Sequence, residues 1–147
     1  MKQTVSTTRA PRPAGPYTQG VVAQGLLWTA GFGPADPQTG EVPEGVRDQT
    51  RQVLRNVAAV LEEAGLDLGD VVKVTAHLQH LHRDVAGFNE VYAEMVPQPY
   101  PVRTTVGSDL ADILVEIDVV AALRDPGRAT GSAAGGRGRA GRAAHRA

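Results

Sequence analysis

The chain has no cysteine among its 147 residues. That excludes disulfides, thiolate metal sites and thiol nucleophiles, and it leaves the compartment open. No apolar stretch approaches the ~20 residues of a membrane-spanning helix. The N-terminus, MKQTVSTTRAPRPAG, holds no apolar run and shows no secretory signal. A soluble cytoplasmic protein is the expectation. Also missing are a GxSxG nucleophile elbow, a Walker loop and a GxGxxG opening a helix. GFGPADPQTG is rich in glycine, but no helix begins at its glycines, which makes it a poor phosphate cradle. No internal repeat is visible. The length suggests one domain, able to bury roughly two-thirds of its unfolded surface.

A net charge of −1 conceals an asymmetry. Residues 1–123 carry nine Lys/Arg and fifteen Asp/Glu, a net of −6, whereas residues 124–147 carry six Arg and one Asp, a net of +5. The segment RDPGRATGSAAGGRGRAGRAAHRA offers no large apolar side chain to offset the entropy of ordering, so 124–147 reads as a disordered Gly/Ala/Arg-rich tail. Its RGR-like steps leave a weak case for RNA or phosphate binding. The acidic body disfavours nucleic acid as a partner.

Along the body, GVVAQ and LLWTAG flank Gln24-Gly25, an apolar-turn-apolar pattern that predicts a hairpin. GFGPADPQTGEVPEG is a loop. From Val46 the period changes: Val46, Thr50, Val53, Leu54, Val57, Val60, Leu61 and Ala64 recur at three and four, an amphipathic helix that Gly65 stops. VVKVTAHL alternates, with Val72, Val74, Ala76 and Leu78 on one side and Lys73, Thr75 and His77 on the other, as in a strand. Asp84 is placed to cap a second helix with Val85, Phe88, Tyr92 and Met95 inward. Pro97, Pro99 and Pro101 end it. RTTV and ILVEIDVVAAL then read as two strands. This order predicts a two-layer domain with both helices on one face of a sheet. The other face needs cover, so the chain is expected to self-associate.

Chemistry has few candidates. His77, His80 and His82 form HLQHLH. If the strand runs on, His77 faces away from the other two, so convergence on a metal is not expected. Arg103 and Glu116 remain. Arginine offers a planar fork that grips a carboxylate through two parallel bonds. Glutamate can orient or deprotonate a water. If the last two strands pair as a hairpin, the two side chains lie near one end of it. Equally, they pair with each other or meet solvent.

Several ordered segments resemble the RidA/YjgF family of reactive-intermediate deaminases, over about residues 10 to 123. GPYTQ at 15–19, WTAG at 28–31, the loop Asp36-Pro37-Gln38-Thr39-Gly40, FNEVY at 88–92, and PVRTTV followed by LVEID carry the resemblance. It implies an α+β, chorismate-mutase-like two-layer domain spanning 1–123. The mixed sheet has both helices on one face and closes with two others into the central barrel of a homotrimer. It also implies sites in the clefts between subunits. There 2-imino acids and their enamine tautomers, such as 2-aminoacrylate, are hydrolysed to 2-oxo acids and ammonia without metal or cofactor. Carried over residue by residue, Arg103 clamps the substrate carboxylate and Glu116 handles water or the proton for the departing nitrogen. Tyr17 lines the mouth from a neighbouring subunit. Gly31 and Thr105 offer backbone, and Asn89 is a supporting contact. Two departures bear on substrate preference. Ala30 and Phe32 stand around Gly31 where the family often has Ser and Gln, and the Arg103–Glu116 connection is two residues shorter than in the best-known members. A non-catalytic 2-oxo acid sensor and an RNA-directed translation inhibitor or ribonuclease are the alternative functions.

Overall fold

The computed structural model describes residues 1–125. The expectation of a disordered tail therefore lies outside the described residues from 126 onward. Six strands and two long helices carry the rest: β1 (Gln3–Val5), β2 (Gly20–Ala23), β3 (Leu26–Thr29), α1 (Val46–Glu63), β4 (Val71–Leu78), α2 (Leu81–Met95), β5 (Val102–Gly107) and β6 (Val115–Ala122). A single 3-10 turn, Leu68–Asp70, leads into β4. Arg124, just beyond β6, donates to Asp67 at 3.0 Å and Asp70 at 2.7 Å and ties the end of the domain to that turn. Burial raises the Asp70 pKa, but the bonds from Arg124 and the Asp67 N–H outweigh it and hold the carboxyl below its usual value.

The β2–β3 hairpin forms where Gln24-Gly25 predicted it. Both residues have positive φ, 54° and 74°, the primed turn whose twist matches two antiparallel strands. The stripe from Val46 becomes α1, with Val53, Val57, Val60 and Leu61 fully buried. Gly65, at φ 74°, stops it. The Gly65 N–H returns to the Glu62 carbonyl and the Leu66 N–H to that of Leu61, while the Leu61 and Leu66 side chains both sink into the core. This is a Schellman stop with its apolar contact. In α2 the expectation shifts by a turn. The helix starts at Leu81 behind His80, and Asp84 lies inside its first turn, where a carboxylate complements the helix dipole.

The sheet runs β1-β2-β3-β6-β4-β5. Only β4 and β5 are parallel, joined across α2. A parallel pair needs such a crossover, which places α2 on one face. Both helices pack on that face, where Leu27, Val74, Ala76, Leu78, Val115, Ile117, Val119 and Ala121 are buried. The mixed sheet with two helices on one side is as expected. β1 is an addition that pairs with β2. At the start of β4 a register shift turns Val71 inward and leaves Val72 exposed, against the alternation expected there. The opposite face is open. Trp28, Val72, Val102 and Val106 stand on it in contact with solvent, alongside Lys73, His77, Glu116 and Asp118. Among the described residues, no helix is long and apolar enough to cross a membrane.

The last residue of GPYTQ has a structural task that the sequence did not reveal. Gln19 is 2% exposed. Its Oε1 accepts the Thr7 N–H at 2.7 Å, and its Nε2 donates to the carbonyls of Thr7, Ala10 and Pro11 at 3.0, 3.3 and 2.9 Å. One side chain thus replaces a ladder for the irregular segment from Thr7 to Pro11. Gln19→Ala leaves these groups unpaired and is expected to cost about 1–3 kcal/mol in denaturant unfolding. The exposed control Gln38→Ala should stay within about 0.5 kcal/mol.

Candidate active site

The last two strands do not pair as a hairpin. β4 lies between β5 and β6: Arg103 is opposite Val74, which is opposite Val119. The reason is the crossover. α2 delivers β5 to the free edge of β4, so β6 takes the other edge and pairs with β3. Glu116 is opposite His77, three residues along. At ~4.8 Å between strands and ~3.3 Å per residue, the Arg103 and Glu116 Cα atoms are about 14 Å apart. They also point to opposite faces. Arg103 and Thr105 share the face of Val74 and Ala76, toward the helices, whereas Glu116 shares the face of His77 and Asp118. Within one protomer the predicted residues therefore form two groups.

The first group surrounds the guanidinium. Residues 88 and 92, one helical turn apart on α2, place two aromatic rings under the edge strand. Arg103 Cζ lies 4.5 Å from the Tyr92 ring centroid and 5.2 Å from that of Phe88. Its Nη2 donates to Asn89 Oδ1 at 2.7 Å. Among the described residues no carboxylate lies within 4.0 Å of it. FNEVY is thus a bed for a cation, with its rings below and its amide at one corner. Rings attract a cation without consuming its charge, leaving the fork able to take an anion. A cleft of about 280 Å³ opens beside it, lined by Asn89, Tyr92, Ala93, Tyr100, Pro101 and Arg103. Phe88 and Tyr92 read from sequence as core stripe alone. The signal available was an aromatic pair at i, i+4 bracketing an Asn, facing a strand that carries an arginine.

The second group gathers where β3 leaves the sheet. Phe32 and Ile117 exchange N–H···O bonds of 2.8 and 3.1 Å, which holds Gly31 against β6. A Cβ on Gly31 would overlap Glu116 Oε1 and come within 3.0 Å of its Cδ. Glycine is required here so that backbone and carboxylate can meet. The Ala30 N–H donates to the Gln19 carbonyl, which ties the Tyr17 turn to the same end of β3. Tyr17 is 50% exposed and its hydroxyl accepts the Ala14 N–H at 3.0 Å. Glu116 makes no side-chain hydrogen bond or ion pair among the described residues. Two residues on, Asp118 is pushed above its usual pKa by burial, an effect opposed by His77 and Lys73.

The three histidines do not share a strand, as β4 ends at Leu78. His77 Nδ1 lies 2.7 Å from Ser108 Oγ, His80 precedes α2 and His82 lies within it.

The geometry is that of a two-layer α+β domain with a guanidinium that has no carboxylate partner on its edge strand, and a carboxylate against a glycine elsewhere. The comparisons specify its family. The endoribonuclease L-PSP family model matches residues 7–123, and the chain belongs to this family, which includes RidA and YjgF. A RutC family protein of Pyrococcus horikoshii is 46% identical over 124 residues, covering 82% of this chain and 98% of that protein. The 2-iminobutanoate/2-iminopropanoate deaminase of Escherichia coli is 39% identical, covering 84% and 100%. Among solved structures, E. coli TdcF with bound serine is similar at TM-score 0.77 and 38% identity, covering 83% of this chain and 99% of that one.

Gly31→Ala tests the contact with Glu116. The overlap falls on the far end of a flexible side chain, so the fold should tolerate it. The carboxylate should be displaced by more than an ångström, a misplacement that can cost about a hundredfold where the displaced group serves the chemistry. The expected result is an unfolding midpoint near wild type together with a strong fall in any activity that depends on Glu116.

Proposed function

We propose that the protein is a hydrolytic deaminase of reactive 2-imino acids and their enamine tautomers, yielding 2-oxo acids and ammonia. It works as a homotrimer whose open sheet faces form the central barrel. Arg103, Asn89 and Thr105 of one protomer complete a cleft with Gly31, Glu116 and Tyr17 of the next. One observation carries this reading. Arg103 is held on two rings at a cleft with no acidic partner, an arrangement suited to a small carboxylate. The opposite facing of Arg103 and Glu116 supports a site built from two copies. The apolar side chains on the open face support assembly, and the relatives named as deaminases support the reaction class.

In this reading the Arg103 fork fixes the carboxylate and so presents one face of the C=N carbon to water. Holding reactants in place supplies most of the effect. Glu116 accepts a proton from the attacking water as the carbon–oxygen bond forms and passes it to the nitrogen, giving a carbinolamine. It then takes the proton of the new hydroxyl and delivers it to the amine as the carbon–nitrogen bond breaks, so that ammonia and a 2-oxo acid leave. Tyr17 shields the mouth and orients the water. Backbone at Gly31 and Thr105 completes the cradle.

The test is release of ammonia and pyruvate from freshly generated 2-aminoacrylate, with mass in solution measured alongside. Wild type should accelerate release over buffer and sediment as a trimer. Pyruvate binding without acceleration would make the protein a 2-oxo acid binding protein instead. Removal of residues 125–147 keeps Arg124 on Asp67 and Asp70. It should leave both rate and assembly unchanged, and a large loss of either would refute a dispensable tail.

A further inference from the structure

Two buried side-chain atoms among the described residues have no hydrogen-bond partner: Tyr92 Oη and Thr105 Oγ1. A buried hydroxyl left unpaired is destabilising, and such groups are few in native proteins. Both belong to residues flanking Arg103. Thr105 is the next residue on the same face of β5, and Tyr92 supplies the nearer ring beneath the guanidinium.

The hydroxyl of Tyr92 serves neither packing nor the cation. Phe88, one turn earlier, fills the same layer at 0% exposure and faces the same guanidinium without a hydroxyl. A phenylalanine at 92 would do both tasks and avoid the unpaired group. Tyr92 is 5% exposed and lines the cleft with Arg103, while its hydroxyl is shut away from bulk water. Burial holds the phenol above its usual pKa, with Arg103 opposing and Tyr100 adding to the shift. At neutral pH the group is an O–H donor.

We propose that Tyr92 is a ligand-binding residue. Its hydroxyl donates a hydrogen bond to the heteroatom on C2 of the acid held by Arg103, the oxygen of a 2-oxo acid or the nitrogen of a 2-imino acid. This rests on the carboxylate clamp described above and adds to it a means of recognising what stands next to the carboxylate. Simple carboxylic acids satisfy the clamp alone. 2-Oxo and 2-imino acids satisfy both points, and the cleft thereby selects them.

The experiment measures acetate and pyruvate affinity for the full-length protein and for Tyr92→Phe and Tyr92→Leu, with unfolding midpoints recorded in parallel. Tyr92→Phe should weaken pyruvate about threefold to tenfold, the range of one net hydrogen bond, and leave acetate unchanged. It should also unfold at a higher temperature than wild type without ligand, because an unpaired hydroxyl is gone, and gain less from added pyruvate. Tyr92→Leu, which also removes the ring beneath the cation, should weaken both acids. If Tyr92→Phe binds pyruvate as tightly as wild type, the subsite is refuted and the clamp stands. If wild type binds neither acid, the clamp fails and the subsite with it.

Discussion

Arg103→Ala should lower kcat/KM for 2-aminoacrylate by two to three decades, about 3–4 kcal/mol, while the protein remains folded and assembled. The size follows from what the residue supplies. Among the described residues lining the cleft Arg103 alone is charged, so in the proposed reaction its bidentate grip is the main anchor for a three-carbon acid, and without it the orientation of the C=N carbon toward water is lost. The fold should be spared because Arg103 lies on an edge strand and makes one side-chain hydrogen bond, to Asn89. Arg103→Lys separates charge from geometry. The ammonium keeps the attraction but has no fork and a weaker fit over the rings, so activity should fall between wild type and Arg103→Ala. Stopped assays for ammonia on freshly generated enamine, corrected for spontaneous hydrolysis, measure all three. Equal rates for wild type and Arg103→Ala would remove this residue from the reaction.

Glu116→Gln should produce the second large loss, of a different kind. General acid–base groups contribute about 10²- to 10⁴-fold, and that loss should appear in kcat. Pyruvate affinity should hold or improve, since a negative charge near a bound anion gives no attraction. Stability should also hold, because the Glu116 carboxylate takes part in no hydrogen bond or ion pair among the described residues. The pair of variants thereby divides the site: one loses the grip, the other the chemistry. A Glu116→Gln enzyme with unchanged kcat would assign the proton transfers to solvent.

Elements whose rules are local were legible in the sequence. Gln24-Gly25 demands positive φ twice and so marks its hairpin. The Val46 stripe and Gly65 mark both the buried face and the stop of α1, because both depend on neighbours within a few residues. β1 was not legible. It is three residues long, with one buried side chain, and exists because β2 offers an edge. Strand order was not legible either, since RTTV and LVEID carry no mark of β4 standing between them. For the same reason the types of Arg103 and Glu116 could be read, but not that they point to opposite faces. Parity within a strand is visible in sequence, whereas parity between strands depends on register. Tyr92 escaped because its ring fits the helix stripe so well that its unpaired hydroxyl, visible only in three dimensions, gave no signal.

The central claim is that one protomer supplies Arg103 and another supplies Glu116 to each site. Co-assembly of Arg103→Ala with Glu116→Gln tests it directly, since each variant alone should be nearly inactive. Random mixing in equal amounts places an intact arginine opposite an intact glutamate in about a quarter of the interfaces of a closed ring. The mixture should therefore regain about a quarter of wild-type activity. Activity no greater than the sum of the two residual rates would contradict a shared site and return both residues to a single chain.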